Sequence, residues 1–359
     1  MIRHAPRVME SFEDRSEDCD SVMPMRNSSS KTGLELSALR LGVFCRALLL
    51  VLLIAGIAGE RGGVAFAASS APETGRLGMV VSTHHAAAKA GARILREGGN
   101  AIDAAVATAF AVGVAQPFSA GVGGGMFALV RLEDGEILAL DARETAPAAA
   151  TPTMYTEPGV AKGASVHGPL AIAVPSFVPG MIQLLEKHGT MPLATVLAPA
   201  IELAESGVEI GRYHARLAGF MRNRLPADRF PETWRIQFEP FGSKDMQGGL
   251  LVQSDLAKSL RLLARRGESV FRDGVVAKAM VAEVQRQGGL LSLEDLRDYQ
   301  PRWREPVVGE YRGLRVASFP PPSSGGAVLV ESLNILEGFD LAGLRSGSSS
   351  AIHLVSEAM

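Results

Sequence analysis

From Gly78 onward the chain carries two kinds of hydrophobic spacing. Apolar residues recur every three to four positions in "HHAAAKAGARILRE", "LATVLAPAIELAES", "SDLAKSLRLLARR" and "VVAKAMVAEVQRQ", the spacing of helices that bury one face. Ser82 or Thr83 is placed to cap the first of these and Gly98-Gly99 to end it; Ser254 caps the third and Gly267 stops it; Gly288-Gly289 closes the fourth. "AIDAAVATAFAVGVA" is apolar nearly all round, which predicts a helix buried on both sides, its alanines letting neighbours approach closely. "MFALVRL" and "EILALDA" flank Glu133-Asp134-Gly135, where the Asp-Gly pair predicts a hairpin, so that Arg143 ends a strand. "GMVVS" predicts a short buried strand. Ser292 and Asp295 make a capping box for "LEDLRDY". "PPPSSGG" is a loop by its prolines and glycines, with Ser323 and Ser324 placed to cap the helix of "AVLVESLNILEG". Strands before and after helices, without an internal repeat or linker, argue for a single α/β or α+β domain over residues 71–359.

Residues 1–70 read differently. Ala47 to Gly59 is an uncharged apolar run preceded by Arg40 and Arg46 and followed by Ala65-Phe66-Ala67, an h-region with an A-x-A cleavage site. The alternative is a membrane anchor, but these thirteen residues fall short of the roughly 20 that a bilayer core needs. Export to the periplasm or the medium is the expectation, with membrane contact only through an uncleaved signal. The acidic stretch "SFEDRSEDCD" is unusual ahead of an export signal, and Met25, followed by Arg26 and Lys31, offers a more usual n-region.

Charge narrows the partners. A formal net charge of −2 gives no electrostatic footprint for a phosphate backbone, so a nucleic-acid partner is not expected. The only cysteines, Cys19 and Cys45, lie near the N-terminus, which leaves the domain without a disulfide framework, a thiolate nucleophile or a cysteine metal ligand.

Several motifs fail on inspection. Gly121 to Met126 (GVGGGM) lacks the last glycine of G-x-G-x-x-G and precedes a strand, so it reads as a close backbone turn rather than a phosphate cradle. Adjacent His84 and His85 fall on different helix faces with no ligand at metal spacing, and read as structural. Gly163 to His167 (GASVH) misses G-x-S-x-G because His167 stands where the last glycine belongs, which makes Ser165 a weak nucleophile candidate.

Taken together, "EGGNAIDAAVA", "SAGVGGGMF", "DARETAP", "VPSFVPG", "APAIELAESG", "GGLLSLEDL" and "PPPSSGG", in this order over residues 78–359, resemble the γ-glutamyltransferase family, the γ-glutamyl transpeptidases or glutathione hydrolases. The resemblance implies an N-terminal nucleophile hydrolase with an αββα sandwich, incomplete here, made as a precursor that cuts itself into a large and a small subunit. It implies an enzyme that moves the γ-glutamyl group of glutathione or similar amides to water or to amino acids, with no cofactor and no metal. The family's threonine nucleophile begins the small subunit, so no catalytic residue is expected in this chain, and the chain alone is expected to be inactive. Ile352, Val355 and Met359 keep helical spacing to the last residue without a stop signal, as expected of a helix cut in mid-course. Cephalosporin acylases and capsule transferases share these motifs, and a non-catalytic γ-glutamyl-binding fragment or assembly partner is a further alternative.

One residue carries over directly. Arg143 matches the arginine of the family's R-E-x-A-P pattern, which the resemblance implies holds the α-carboxylate of the γ-glutamyl substrate. A guanidinium suits this task because it offers a planar pair of donors where lysine gives a point charge. Asp141, two residues earlier on the strand, points the same way and is placed to brace the guanidinium. The alternative is a purely structural ion pair of Arg143 with Asp141 or Glu144.

Overall fold

The computed structural model describes residues 72–242 and 246–359; the export signal, its cleavage site and both cysteines lie outside the described residues. Residues 74–359 form one compact unit. The chain runs α1 (His85–Arg96), α2 (Ala101–Ala115), β1 (Met126–Arg131), β2 (Ile137–Ala142), α3 (Phe177–His188), α4 (Leu193–Ser206), β3 (Val208–Glu209), α5 (Arg212–Arg222), α6 (Pro231–Gln237), β4 (Leu250–Leu251), α7 (Ser254–Arg266), α8 (Ser269–Arg272), α9 (Val275–Arg286), α10 (Leu293–Asp298), β5 (Arg302–Arg304), β6 (Val307–Tyr311), β7 (Leu314–Ser318), α11 (Gly325–Glu337) and α12 (Ser349–Ala358).

The all-apolar segment is the central helix. In α2, Val106, Ala107, Phe110, Ala111 and Val114 are fully buried, and the helix packs against α1, α3 and α4. Its start is fixed by a reciprocal cap: Asn100 Oδ1 accepts from the amides of Ile102 and Asp103, and Asp103 accepts from the Asn100 amide. Asp103 is itself fully buried, and also accepts from the Thr190 hydroxyl at 2.6 Å and from the amides of Thr190 and Met191. Burial alone would raise this carboxyl, but those donors, the Thr190 hydroxyl foremost, hold it below its ordinary value of 3.8. Asp103 therefore ties the start of α2 to the α3–α4 connection.

The expected hairpin forms, β1 pairing antiparallel with β2 through Met126↔Ala142 to Arg131↔Ile137, with Gly135 at φ +90° in the turn. β5 adds on the far side of β2, giving the order β1-β2-β5. One face of this sheet lies on the helices: Leu140 joins the main core, and Gly180 of α3 lies so close to Ala142 that a β-carbon there would collide with the alanine's. Trp303 of β5 rests beneath Lys187, whose Nζ is 4.2 Å from its ring centroid. The opposite face presents Asp141 and Arg304.

The structure departs from the pattern at several ends. Residues 78–82 form no strand; Met79 and Val81 are exposed, and only Val80 packs on the core. Neither Ser82 nor Thr83 caps α1, because the helix starts later and His84 takes the role, its Nδ1 accepting from the Ala86 amide at 3.2 Å. Ser254 is the first residue of α7 rather than its cap, which is Gln253, whose side chain makes no capping bond and donates instead to the Val114 carbonyl. α11 begins at Gly325, where Ser323 Oγ accepts from the Gly325 amide and Ser324 makes no capping bond. α3 was unannounced because Pro179 and Gly180 sit near its start; proline is tolerated in a first turn, whose amides lack partners. Among the described residues no helix is long and apolar enough to cross a membrane.

Candidate functional site

The chain leaves β2 at Ala142 and turns through Arg143 to Ala148, and this exit is fastened on every side. The Ser176 hydroxyl, fully buried, donates to the Ala142 carbonyl at 2.8 Å. The amides of Ser176 and Phe177 donate to the Gly124 carbonyl at 2.9 and 2.7 Å, and the Val174 amide to the Thr145 carbonyl at 2.8 Å. The glycine turn before β1 thus meets the segment before α3, with the strand exit between them. Gly125 permits no side chain, since a β-carbon would lie 2.5 Å from Glu144 Oε2 and 2.8 Å from the Ala142 carbonyl oxygen. The expected close backbone turn at Gly121 to Met126 is of this kind.

A second brace comes from α10. The Ser292–Asp295 capping box forms as expected, and the spare Asp295 oxygen accepts from the Ala148 amide at 2.8 Å. One residue past the helix, the Tyr299 hydroxyl donates to the Arg143 carbonyl at 2.8 Å. Burial pushes the Tyr299 hydroxyl above its ordinary value, the Asp141 and Glu144 carboxylates adding to the shift while the nearby Ser176 hydroxyl opposes it.

Asp141 does not brace the Arg143 guanidinium. Its Oδ2 accepts from Arg304 Nε at 2.7 Å, and its Oδ1 from the Arg143 backbone amide at 3.0 Å. The reason is register. Asp141 lies opposite Arg302 and diagonal to Arg304, so a cross-strand arginine reaches its carboxylate on the same sheet face. The Asp141 side chain is 7% exposed and that of Arg304 33%. Among the described residues no carboxylate forms an ion pair with Arg143, neither Asp141 nor Glu144. The guanidinium carbon stands 5.6 Å from the Phe127 ring centroid, and Phe127 in turn packs on Phe319 at 4.3 Å.

The exit opens into a cavity of ≈ 730 Å³ lined by Asp141, Arg143 to Ala146, Ala148, Val174, Glu294, Asp295, Asp298 to Gln300, Arg302, Arg304 and Pro322. Stretches separated by up to 181 residues in sequence meet there: the strand exit, the segment before α3, α10 and the proline loop before α11. Arg143 was anticipated. Tyr299, Arg302 and Arg304 were not, although the alternation in "RWR" signals a short strand with both arginines on one face. Ser165 lies elsewhere, exposed in a turn with no strand before it, as its weak candidacy implied. Among the described residues no cluster of His, Cys, Asp and Glu has the geometry to hold a metal.

The sequence model of the gamma-glutamyltranspeptidase family matches residues 87–359. A glutathione hydrolase proenzyme of Pseudomonas sp. (strain A14) is 42% identical over 295 residues, 82% of this chain and 51% of that protein. An acylase ACY 1 proenzyme of Pseudomonas sp. (strain SE83) is 40% identical over 303 residues, 82% of this chain and 54% of that protein. The crystal structure of Helicobacter pylori gamma-glutamyltranspeptidase superposes with a TM-score of 0.74 at 39% identity, covering 80% of this chain and 82% of that one. The chain spans about half the length of the curated relatives it matches.

Proposed function

Since the chain belongs to the gamma-glutamyltranspeptidase family, with the mixed helix-and-sheet fold of its N-terminal nucleophile hydrolase members, we propose that its cavity binds the γ-glutamyl end of glutathione or a similar amide. The observation that carries this reading is the Arg143 guanidinium, which has no carboxylate partner among the described residues while Asp141, two residues away, is committed to Arg304. A guanidinium beside a cavity, relieved of internal counter-ions, is a receptor for a carboxylate. The γ-glutamyl group supplies one on its α-carbon. It carries an α-ammonium beside it, and the same cavity offers the exposed carboxylates of Glu294 and Asp298.

In this reading the described residues bind and orient. Tyr299 and Ser176 hold the carbonyls on either side of the strand exit, Arg304 keeps Asp141 away from the guanidinium, and Arg143 fixes the α-carboxylate so that the γ-amide is presented in one orientation. The acyl transfer itself, from the amide nitrogen to a threonine hydroxyl and then to water or an amino acid, is assigned to the small-subunit segment as partner. Export to the periplasm or the medium remains part of the proposal, on the strength of Ala47 to Gly59 and the A-x-A site.

A second reading is supported by the near-equal identity to an acylase, 40% against 42%. The deciding assay gives the protein, expressed from its complete reading frame, γ-glutamyl p-nitroanilide and a cephalosporin with an amide-linked side chain. Preference for the anilide by at least about tenfold in kcat/KM is expected. Preference for the cephalosporin would move the chain to the acylase side.

A further inference from the structure

A second cavity, of ≈ 680 Å³, lies between the loop of residues 159–170 and the segment that joins α5 to α6. Its composition is one-sided. Lys162, His167, Arg224 and Arg229 line it, and among the described residues no Asp or Glu does. In a chain with 38 acidic against 36 basic side chains, three Lys and Arg charges around one hollow without a carboxylate are not a solvated mixture of signs. None of the three forms an ion pair among the described residues, whereas Arg93, Arg235, Arg261, Arg272, Arg286 and Arg304 all do.

The loop opposite is shaped for close approach. Gly159, Gly163 and Gly168 have φ of +88°, +86° and +95°, conformations that expose the backbone rather than a side chain. The amides of Lys162, Gly163 and Gly168, all lining the cavity, find no acceptor among the described residues. The Arg229 guanidinium lies against Gly168, where a β-carbon would come 3.0 Å from its Nη2. The Arg224 guanidinium carbon stacks 3.7 Å from the Phe220 ring centroid and that of Arg229 stands 5.7 Å from the Phe230 centroid, so both charges are held by aromatic rings and by no carboxylate among the described residues; with the loop amides they make an anion receptor. The remaining wall is apolar, from Met221, Leu225, Pro226, Phe230 and Leu170.

We propose that this cavity binds a small soluble molecule carrying phosphate groups on an apolar body, at a site separate from the Arg143 cavity. Arg224 and Arg229 take the oxyanions, Lys162 and the loop amides close over them, and the apolar wall takes the body. Gly163, Ala164, Val166 and His167 of "GASVH" line this cavity and not the Arg143 one. The proposal does not depend on that chemistry.

The test is calorimetric titration of the protein, expressed from its complete reading frame, with inorganic pyrophosphate and with phenyl phosphate. Both are expected to bind one saturable site and to compete, with affinity falling as salt rises. Arg224→Gln combined with Arg229→Gln is expected to weaken pyrophosphate at least about tenfold, and Lys162→Gln, on an exposed loop where folding is not at stake, about threefold. No saturable binding of either probe by the parent, unchanged binding by Lys162→Gln, or binding only to phosphatidylglycerol vesicles would each overturn it.

Discussion

Replacing Arg304 by alanine tests the wiring of the strand exit, because among the described residues Arg304 supplies the one charged partner of Asp141. The variant leaves a carboxylate that is 7% exposed with a single remaining donor, the Arg143 amide at 3.0 Å. An orphaned charge in a dry interior costs about 3 to 5 kcal/mol and an exposed pair about 0 to 1. Arg304 is one-third exposed, so solvent reaches the vacated space and an intermediate loss of about 2 kcal/mol is expected. Urea unfolding followed by circular dichroism measures it, as a lower midpoint at unchanged slope. Asp141→Asn in the same background removes the orphaned charge and should recover roughly half of the loss. The single variant should also raise KM for a γ-glutamyl substrate, although Arg304 lies outside the proposed contact, because the released carboxylate becomes a counter-ion for Arg143. A loss below about 0.5 kcal/mol, or a double variant no more stable than the single one, would refute the assignment of Asp141 to Arg304.

Tyr299→Phe removes the donor to the Arg143 carbonyl and is expected to cost about 1 kcal/mol in urea unfolding, with a rise in KM of a few fold at little change in kcat. Asp103 gives a pH dependence of defined sign. Its carboxyl lies below its ordinary value of 3.8 in the folded state, so its contribution is complete above that value and is lost as pH falls through the lowered one. The stability gap between the parent and Asp103→Asn should therefore narrow on acidification from about pH 6 to about pH 3, and a constant gap would remove the charge from the explanation. Mass spectrometry of exported protein should find an N-terminus near Ala68; an intact Ala47 to Gly59 segment in membranes would contradict the export proposal.

The hairpin, the central helix and the α10 capping box were legible because each is fixed by neighbours in sequence: Asp134-Gly135 at a turn, an unbroken apolar run, and Ser292 three residues before Asp295. What was not legible depends on pairings between distant segments. Asp141 and Arg143 share a strand direction, which suggested a local pair, but the pairing of β2 with β5 brings Arg304 from 163 residues away to the same carboxylate. α3 was hidden for a related reason: Gly180 lowers helix propensity in isolation, and its value appears only where Ala142 packs against it. Residues 78–82 failed in the opposite direction: despite their apolar composition they pair with no strand among the described residues, and Met79 and Val81 stay exposed.

The central claim is that Arg143 recognises the α-carboxylate of a γ-glutamyl group, and the most direct test removes each side of that contact in turn. In the protein expressed from its complete reading frame, kcat/KM is measured for γ-glutamyl p-nitroanilide and for 4-aminobutyryl p-nitroanilide, which keeps the amine and lacks the carboxylate. The parent is expected to prefer the γ-glutamyl compound by at least about tenfold. Arg143→Ala should abolish that preference, lowering turnover of the first substrate and leaving the second nearly unchanged, and Arg143→Lys should restore part of it. An Arg143→Ala variant that loses both substrates equally, or keeps the parent's preference, would contradict the account and return Arg143 to a purely structural role.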